Sequence, residues 1–278
     1  MKKVAFIGGY FDKSDILLYL SKIIYETGKK VLLIDATAVQ KTKFIVPTIA
    51  PGKTYITTFL GVDVAVGFDS MNTLRTYLKV APGGELPYDY VLVDLDTAIA
   101  YRTFEIKKDD LTYFLTSFDA YSLKRGVKVL SAFAEPTTVQ KLLFSKTMTK
   151  EEDDYLNFLA MKTKVVWEKE VIAFPLENGD QNAIFINQRL SRIKLKDFSK
   201  TFVDNLMYVA ERITSALDLS SLLYKPLIFG KFSTPSINSF FDKLIFTLDS
   251  FLSKITSVNE FNTSSSTNDS TSFSLSIK

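Results

Sequence analysis

The chain has 278 residues, 46% hydrophobic and 23% charged, with a formal net charge of +3, which fits one large α/β domain or two small ones. It contains no cysteine and no histidine, which excludes disulfides, thiolate or imidazole metal sites, Cys nucleophiles and His-based triads. Chemistry must come from carboxylates, hydroxyls, lysines, arginines or an ion held by oxygen ligands, and so small an excess of charge neither requires nor excludes nucleic acid or an anionic membrane.

From the N-terminus, Lys3 to Ile7 is an apolar run, too short for a secretory signal, that leads into Gly8-Gly9. Ile16, Leu17, Leu20, Ile23 and Ile24 follow at helical spacing, and Gly28 stands where that helix ends. Further apolar runs predict strands at Lys30 to Ile34, Ile56 to Val66 and Tyr90 to Val93, and then at Asp110 to Thr116, Thr138 to Ser145, Lys164 to Trp167 and Val171 to Phe174. Helical patterns fall at Met71 to Leu78, Leu123 to Phe133, Asp154 to Met161 and Phe198 to Leu217. Continuous rather than alternating apolar strands, separated by helices, predict a doubly wound, mostly parallel α/β sheet with helices on both faces. In such a sheet ligands sit beyond the carboxyl ends of the strands. No run of about 18 apolar residues predicts a membrane span, and the cytoplasm is the expected location.

The composition divides the chain into an α/β domain over 1–224, a hinge and amphipathic helix over 225–257, and a Ser/Thr/Asn-rich tail over 258–278 that is expected to be disordered.

Three motifs carry chemistry. Gly8-Gly9 followed by Lys13-Ser14 at a helix start is the layout of a phosphate loop, in which backbone N–H groups and a lysine surround a phosphate. The strands VLLID and YVLVD end on Asp35 and Asp94, the placement of a carboxylate that holds Mg²⁺ directly or through water, with Ser14 as a further oxygen ligand. Structural readings stand beside these. The glycines can form a plain strand-to-helix turn, and the aspartates can cap strands or pair with lysines.

The order and spacing of these segments resemble the ParA/MinD family of P-loop ATPases over most of residues 1–220. The resemblance is closest from Lys13 to Asp35, and DAYSLKRGVKVL, Asp119 to Leu130, is similar to the family's segment after its fifth strand. It implies ATP and Mg²⁺ as cofactors, bound at Gly8, Gly9, Lys13, Ser14, Asp35 and Asp94, with Ser14 and Asp94 as the metal ligands, and it implies a homodimer that works with protein partners. The departures equally allow no cofactor. Gly8 occupies the place of the family's second lysine, which reaches across a dimer. Tyr10 and Asp12 replace loop glycines. A carboxylate about 4 Å from a phosphate charge repels it by roughly 4 kcal/mol at an effective dielectric near 20. Thr37 replaces the acid that orients the attacking water, and Asp94-Leu95-Asp96-Thr97-Ala98 lacks the glycine of a γ-phosphate switch. No catalytic residue is assigned.

These features predict a non-hydrolysing or weakly nucleotide-binding scaffold that positions or assembles a larger cellular machine, with TadZ-like pilus organisers as the nearest functional analogy. The alternatives are an active, weak ATPase cycling between monomer and dimer, and a nucleoid-binding partitioning adaptor. The adaptor would use the basic run Arg189, Arg192, Lys194, Lys196 and Lys200, which otherwise reads as a solvated face. At the C-terminal end, Ile237, Phe240, Phe241, Leu244, Ile245, Leu248, Leu252 and Ile255 share one helical face. Asp242, Lys243, Asp249 and Lys254 on the polar face sum to zero charge, whereas membrane-surface helices are usually rich in Lys and Arg. Packing on protein is therefore expected, with a peripheral membrane contact as the alternative.

Overall fold

A computed structural model describes residues 1–9, 13–48, 52–144, 149–175, 177 and 179–214. The elements run β1 (Lys2–Ile7), α1 (Lys13–Glu26), β2 (Val31–Ala36), α2 (Thr42–Ile45), β3 (Tyr55–Phe59), β4 (Val62–Val66), α3 (Met71–Tyr77), β5 (Tyr90–Leu95) and α4 (Ala98–Thr103). They continue as β6 (Leu111–Thr116), α5 (Ala120–Leu130), β7 (Thr137–Leu143), α6 (Lys150–Ala160), β8 (Val165–Ala173), α7 (Asp180–Arg189), a 3₁₀ turn at Leu195–Asp197, and α8 (Lys200–Thr214).

The strands form one eight-stranded sheet in the order β3-β4-β2-β5-β1-β6-β7-β8. Every pairing is parallel except β3 with β4. The mostly parallel, doubly wound α/β sheet read from the sequence is therefore the observed one. Side-chain alternation along the central strand, β1, shows why its residues from Val4 to Ile7 are all apolar. Val4 and Phe6 pack into the layer of α1 and α8, while Ala5 and Ile7 pack into the layer of α3 to α6. Both faces are buried over Val4 to Ile7, so none of these four positions is left for a polar residue.

The structure corrects the sequence reading in three places. The run Ile56 to Val66 is not one strand but a hairpin, β3 and β4. Leu60 and Gly61 turn it with φ of 51° and 91°, the positive pair that two-residue hairpin loops require. Lys164 to Trp167 and Val171 to Phe174 are not two strands but one, β8, interrupted by an irregularity. Val139 pairs with Trp167 and Lys141 with Val171, so two steps on β7 oppose four on β8. Helices α2, α4 and α7 were not anticipated. The last two are held by local features: Thr97 caps α4 by accepting from the Ala100 N–H at 3.1 Å, and Asp180, in the first turn of α7, accepts from the Glu177 N–H at 2.9 Å.

Among the described residues no helix is long and apolar enough to cross a membrane. Tyr10, Asp12, the chain from residue 215 onward, where an amphipathic helix is expected, and the expected domain boundaries near 224 and 257 lie outside the described residues.

Candidate functional site

The carboxyl ends of β1, β2 and β5 converge beside the start of α1. β1 is where consecutive connections diverge, since α1 leads toward β2 on one side while β6 adds on the other. A doubly wound sheet opens a crevice at such a point. Here a cleft of about 360 Å³, including its open mouth, is lined by Gly8, Gly9, Lys13, Ser14, Thr37, Val39, Lys41, Asp96, Tyr121 and Arg125. Four of the six residues read from the sequence as a nucleotide site thus line one cleft. Asp35 and Asp94 lie behind it, opposite each other in the β2–β5 register and almost fully buried.

The lysine is turned inward. Lys13, only 3% exposed, donates from Nζ to the Leu95 carbonyl at 2.6 Å. The same Nζ sits 2.6 Å from Asp94 Oδ1, a charge contact without the alignment of a hydrogen bond. Ser14 Oγ donates to the other carboxylate oxygen of Asp94 at 2.9 Å. Burial pushes the Asp94 carboxyl up to about 6; Lys13 beside it pulls the other way, and the neighbouring charge of Asp35 adds to the rise. Desolvation outweighs attraction because both charges are removed from water together.

Asp35 is fully engaged by its own loop. Its Oδ1 accepts from the Thr37 N–H at 3.1 Å and the Thr37 hydroxyl at 2.6 Å, and its Oδ2 accepts from the Thr42 N–H at 2.9 Å. This is the strand-capping role. Thr37 therefore orients a turn through its hydroxyl, which also accepts from the Gln40 N–H at 3.0 Å.

The remaining cleft charges are paired as well. Lys41 meets Asp15 at 2.9 Å, and Gln188 Nε2 donates to the same carboxylate at 2.8 Å. Arg125 meets Asp96 at 2.7 Å, while the other oxygen of Asp96 accepts from the Ala38 N–H at 3.0 Å. Asp96 thus ties the β2–α2 loop to α5 across the cleft. Lys41, Asp15 and Arg125 were not singled out from the sequence. Arg125 lies within the recognised segment Asp119 to Leu130, but nothing local marks it as a cleft residue.

The glycines have structural reasons of their own. A Cβ on Gly8 would overlap the Leu115 carbonyl oxygen of β6, and one on Gly9 would come within 2.8 Å of the Arg125 Cβ. Ser14 and Asp94 are hydrogen-bonded to each other, and among the described residues no group of three carboxylates is placed to hold a metal ion. Among the described residues, the lysine and the carboxylate that would serve a Mg²⁺–nucleotide are paired with one another. The basic run is dispersed. Arg189 ends α7, Lys196 lies in the 3₁₀ turn and Lys200 starts α8, while Arg192 and Lys194 both pair with Asp197, at 3.3 and 2.8 Å.

No protein-family model matches the sequence, and no curated protein matches it. Solved structures match it by fold. The MinD cell division protein of Aquifex aeolicus aligns with a TM-score of 0.50 at 16% identity, over 78% of this chain and 98% of that one. A chain of the MinC:MinD cell division protein complex of the same organism gives 0.49 at 15% identity over 78% and 97%, and an ATP complex of a McdA variant from Cyanothece gives 0.47 at 14% over 78% and 98%. With its sheet order, its strand-ending aspartates and the lysine that opens α1, the chain is built on the MinD-type α/β fold, the ParA/MinD architecture that its motifs resemble.

Proposed function

We propose that this protein is a non-hydrolysing scaffold of ParA/MinD type that positions or assembles a larger machine through protein contacts, acting as a homodimer in the cytoplasm. The observation that carries the reading is the self-pairing of the cleft. Lys13, Lys41 and Arg125 face Asp94, Asp15 and Asp96, with Asp35 behind them, so three cations are set against four carboxylates. A nucleotide triphosphate would enter a site whose positive charges are already neutralised, and it would have to break a buried ion pair to reach the lysine. Asp12 adds a further negative charge to the loop. That MinD is a cell division protein supports, by analogy of fold, a positioning role for this chain.

The test is ATP hydrolysis by the purified full chain with Mg²⁺. The expected result is no turnover above background, unchanged in Lys13→Ala. Turnover that disappears in Lys13→Ala would overturn the proposal in favour of an active ATPase.

A further inference from the structure

A second polar cavity lies at the other end of the sheet, toward the amino ends of β6 and β7, and its volume is about 150 Å³. Its origin is the irregularity in β8. Because two steps on β7 oppose four on β8, the backbone around Glu168 and Glu170 leaves the ladder beside Gln140. Gln140 and Tyr113 are register partners on β7 and β6, so both side chains project from the same face of the sheet into this space.

Both side chains are almost fully buried, Tyr113 at 1% and Gln140 at 2% exposure. The Gln140 amide donates from Nε2 to the Glu170 carbonyl at 2.9 Å. Its Oε1 has no hydrogen-bond partner among the described residues, while the Tyr113 hydroxyl lies beside the Arg212 guanidinium. Burial pushes the Tyr113 phenol up to about 12, although the nearby Arg212 guanidinium opposes the rise. A buried amide oxygen such as Gln140 Oε1 ordinarily has a partner in native proteins. Arg212 forms one wall, held by Glu168 and Glu170 at 2.7 Å each.

The chemistry of the lining selects the partner. Gln140 Oε1 can only accept, and Asp109, Asp110 and Glu168 add three carboxylates. Against these stand Lys108, paired with Glu135 at 3.1 Å, and Arg212, already paired twice. Acceptors and negative charge are in excess, and the volume suits a molecule of about benzene size. We infer that this cavity is a binding site for a small organic cation rich in N–H donors, of the alkyl diamine class. One ammonium meets Gln140 Oε1 and the Tyr113 hydroxyl, and the charge is balanced by Glu168. The site is separate from the cleft at the carboxyl ends of the strands and does not depend on how that cleft treats nucleotides.

The experiment is calorimetric titration of the full chain with putrescine, with 1,4-butanediol as the neutral isostere. Saturable binding of putrescine but not butanediol is expected, weakened at least tenfold in Gln140→Leu and in Glu168→Gln. The second variant alters a partly exposed side chain, so it remains informative if the first fails to fold. Absence of saturation up to about 10 mM putrescine, a range that covers millimolar affinity, would show that ordered water alone fills the cavity and would overturn the site. Equal binding of butanediol would overturn the charge selection, and binding indifferent to a folded variant would overturn the location.

Discussion

Replacing Lys13 by methionine tests the arrangement on which the reading of the cleft depends. The substitution keeps the length of the stem and removes the ammonium, so Asp94 loses the charge 2.6 Å from its Oδ1. Breaking a buried ion pair by removing one partner typically costs about 3–5 kcal/mol. The pH dependence gives the loss a signature. The Asp94 carboxyl titrates at about 6 in the fold against 3.8 when free, so the folded state binds its proton more tightly. Stability from this group therefore rises as pH falls from about 6 toward 4, by about 3 kcal/mol, and is lost as pH rises through the folded value. Without Lys13 the folded value moves higher still, because Lys13 is the principal influence holding it down. Urea unfolding of Lys13→Met should show its full deficit at pH 7.5 and a smaller one at pH 5, where the carboxyl takes up a proton and no longer needs a counter-ion. The double variant Lys13→Met/Asp94→Asn should recover most of the deficit at pH 7.5, since replacing a whole buried pair is often neutral or stabilising. A Lys13→Met variant within about 0.5 kcal/mol of the parent at both pH values, the scale of an ordinary surface substitution, would refute the reasoning. It would mean that the lysine is solvated in the cleft and available to a phosphate.

Two further expectations concern the loop before α1. Gly8→Ala should destabilise the fold by about 2 kcal/mol or more in thermal or urea unfolding, because the new methyl overlaps the Leu115 carbonyl and either β1 or β6 must shift. Unchanged stability would mean that the glycine serves ligand approach rather than packing. Asp12→Gly should raise affinity for ATP–Mg²⁺ by well over tenfold in calorimetry, from the removed repulsion alone; equal affinities would show that charge is not what limits binding there.

Much of the fold was legible in the sequence because burial leaves a local record. β1, β2 and β5 are covered on both faces, so their apolar runs are continuous and their ends are marked by Asp35, Asp94 and the glycines after β1. α1 declared itself through period, and Gly28 marked its end at φ 82°. The hairpin of β3 and β4 was hidden because its turn, Leu60-Gly61, sits inside an apolar stretch and depends on two backbone torsions rather than on polar residues. α4 was hidden by its six-residue length, and α7 because its apolar residues, Ala183 to Ile186, fall in one run rather than at helical spacing.

In the site, the sequence by itself placed Gly8, Gly9, Lys13, Ser14, Asp35 and Asp94 at the carboxyl edge of one sheet, since each lies next to a strand end. Which way Lys13 turns was decided only by tertiary structure. Its partners, Asp94 and the Leu95 carbonyl, come from a strand some eighty residues away, and the inward choice reflects the balance between desolvation and pairing at the β1–β5 boundary. The same holds for Lys41 with Asp15 and for Arg125 with Asp96, each brought together across the cleft by elements that share no local pattern. The cavity of Tyr113 and Gln140 left no trace at all in the sequence. It exists because β8 takes four steps where β7 takes two, and strand register is fixed by pairing with a neighbour rather than by any residue read alone.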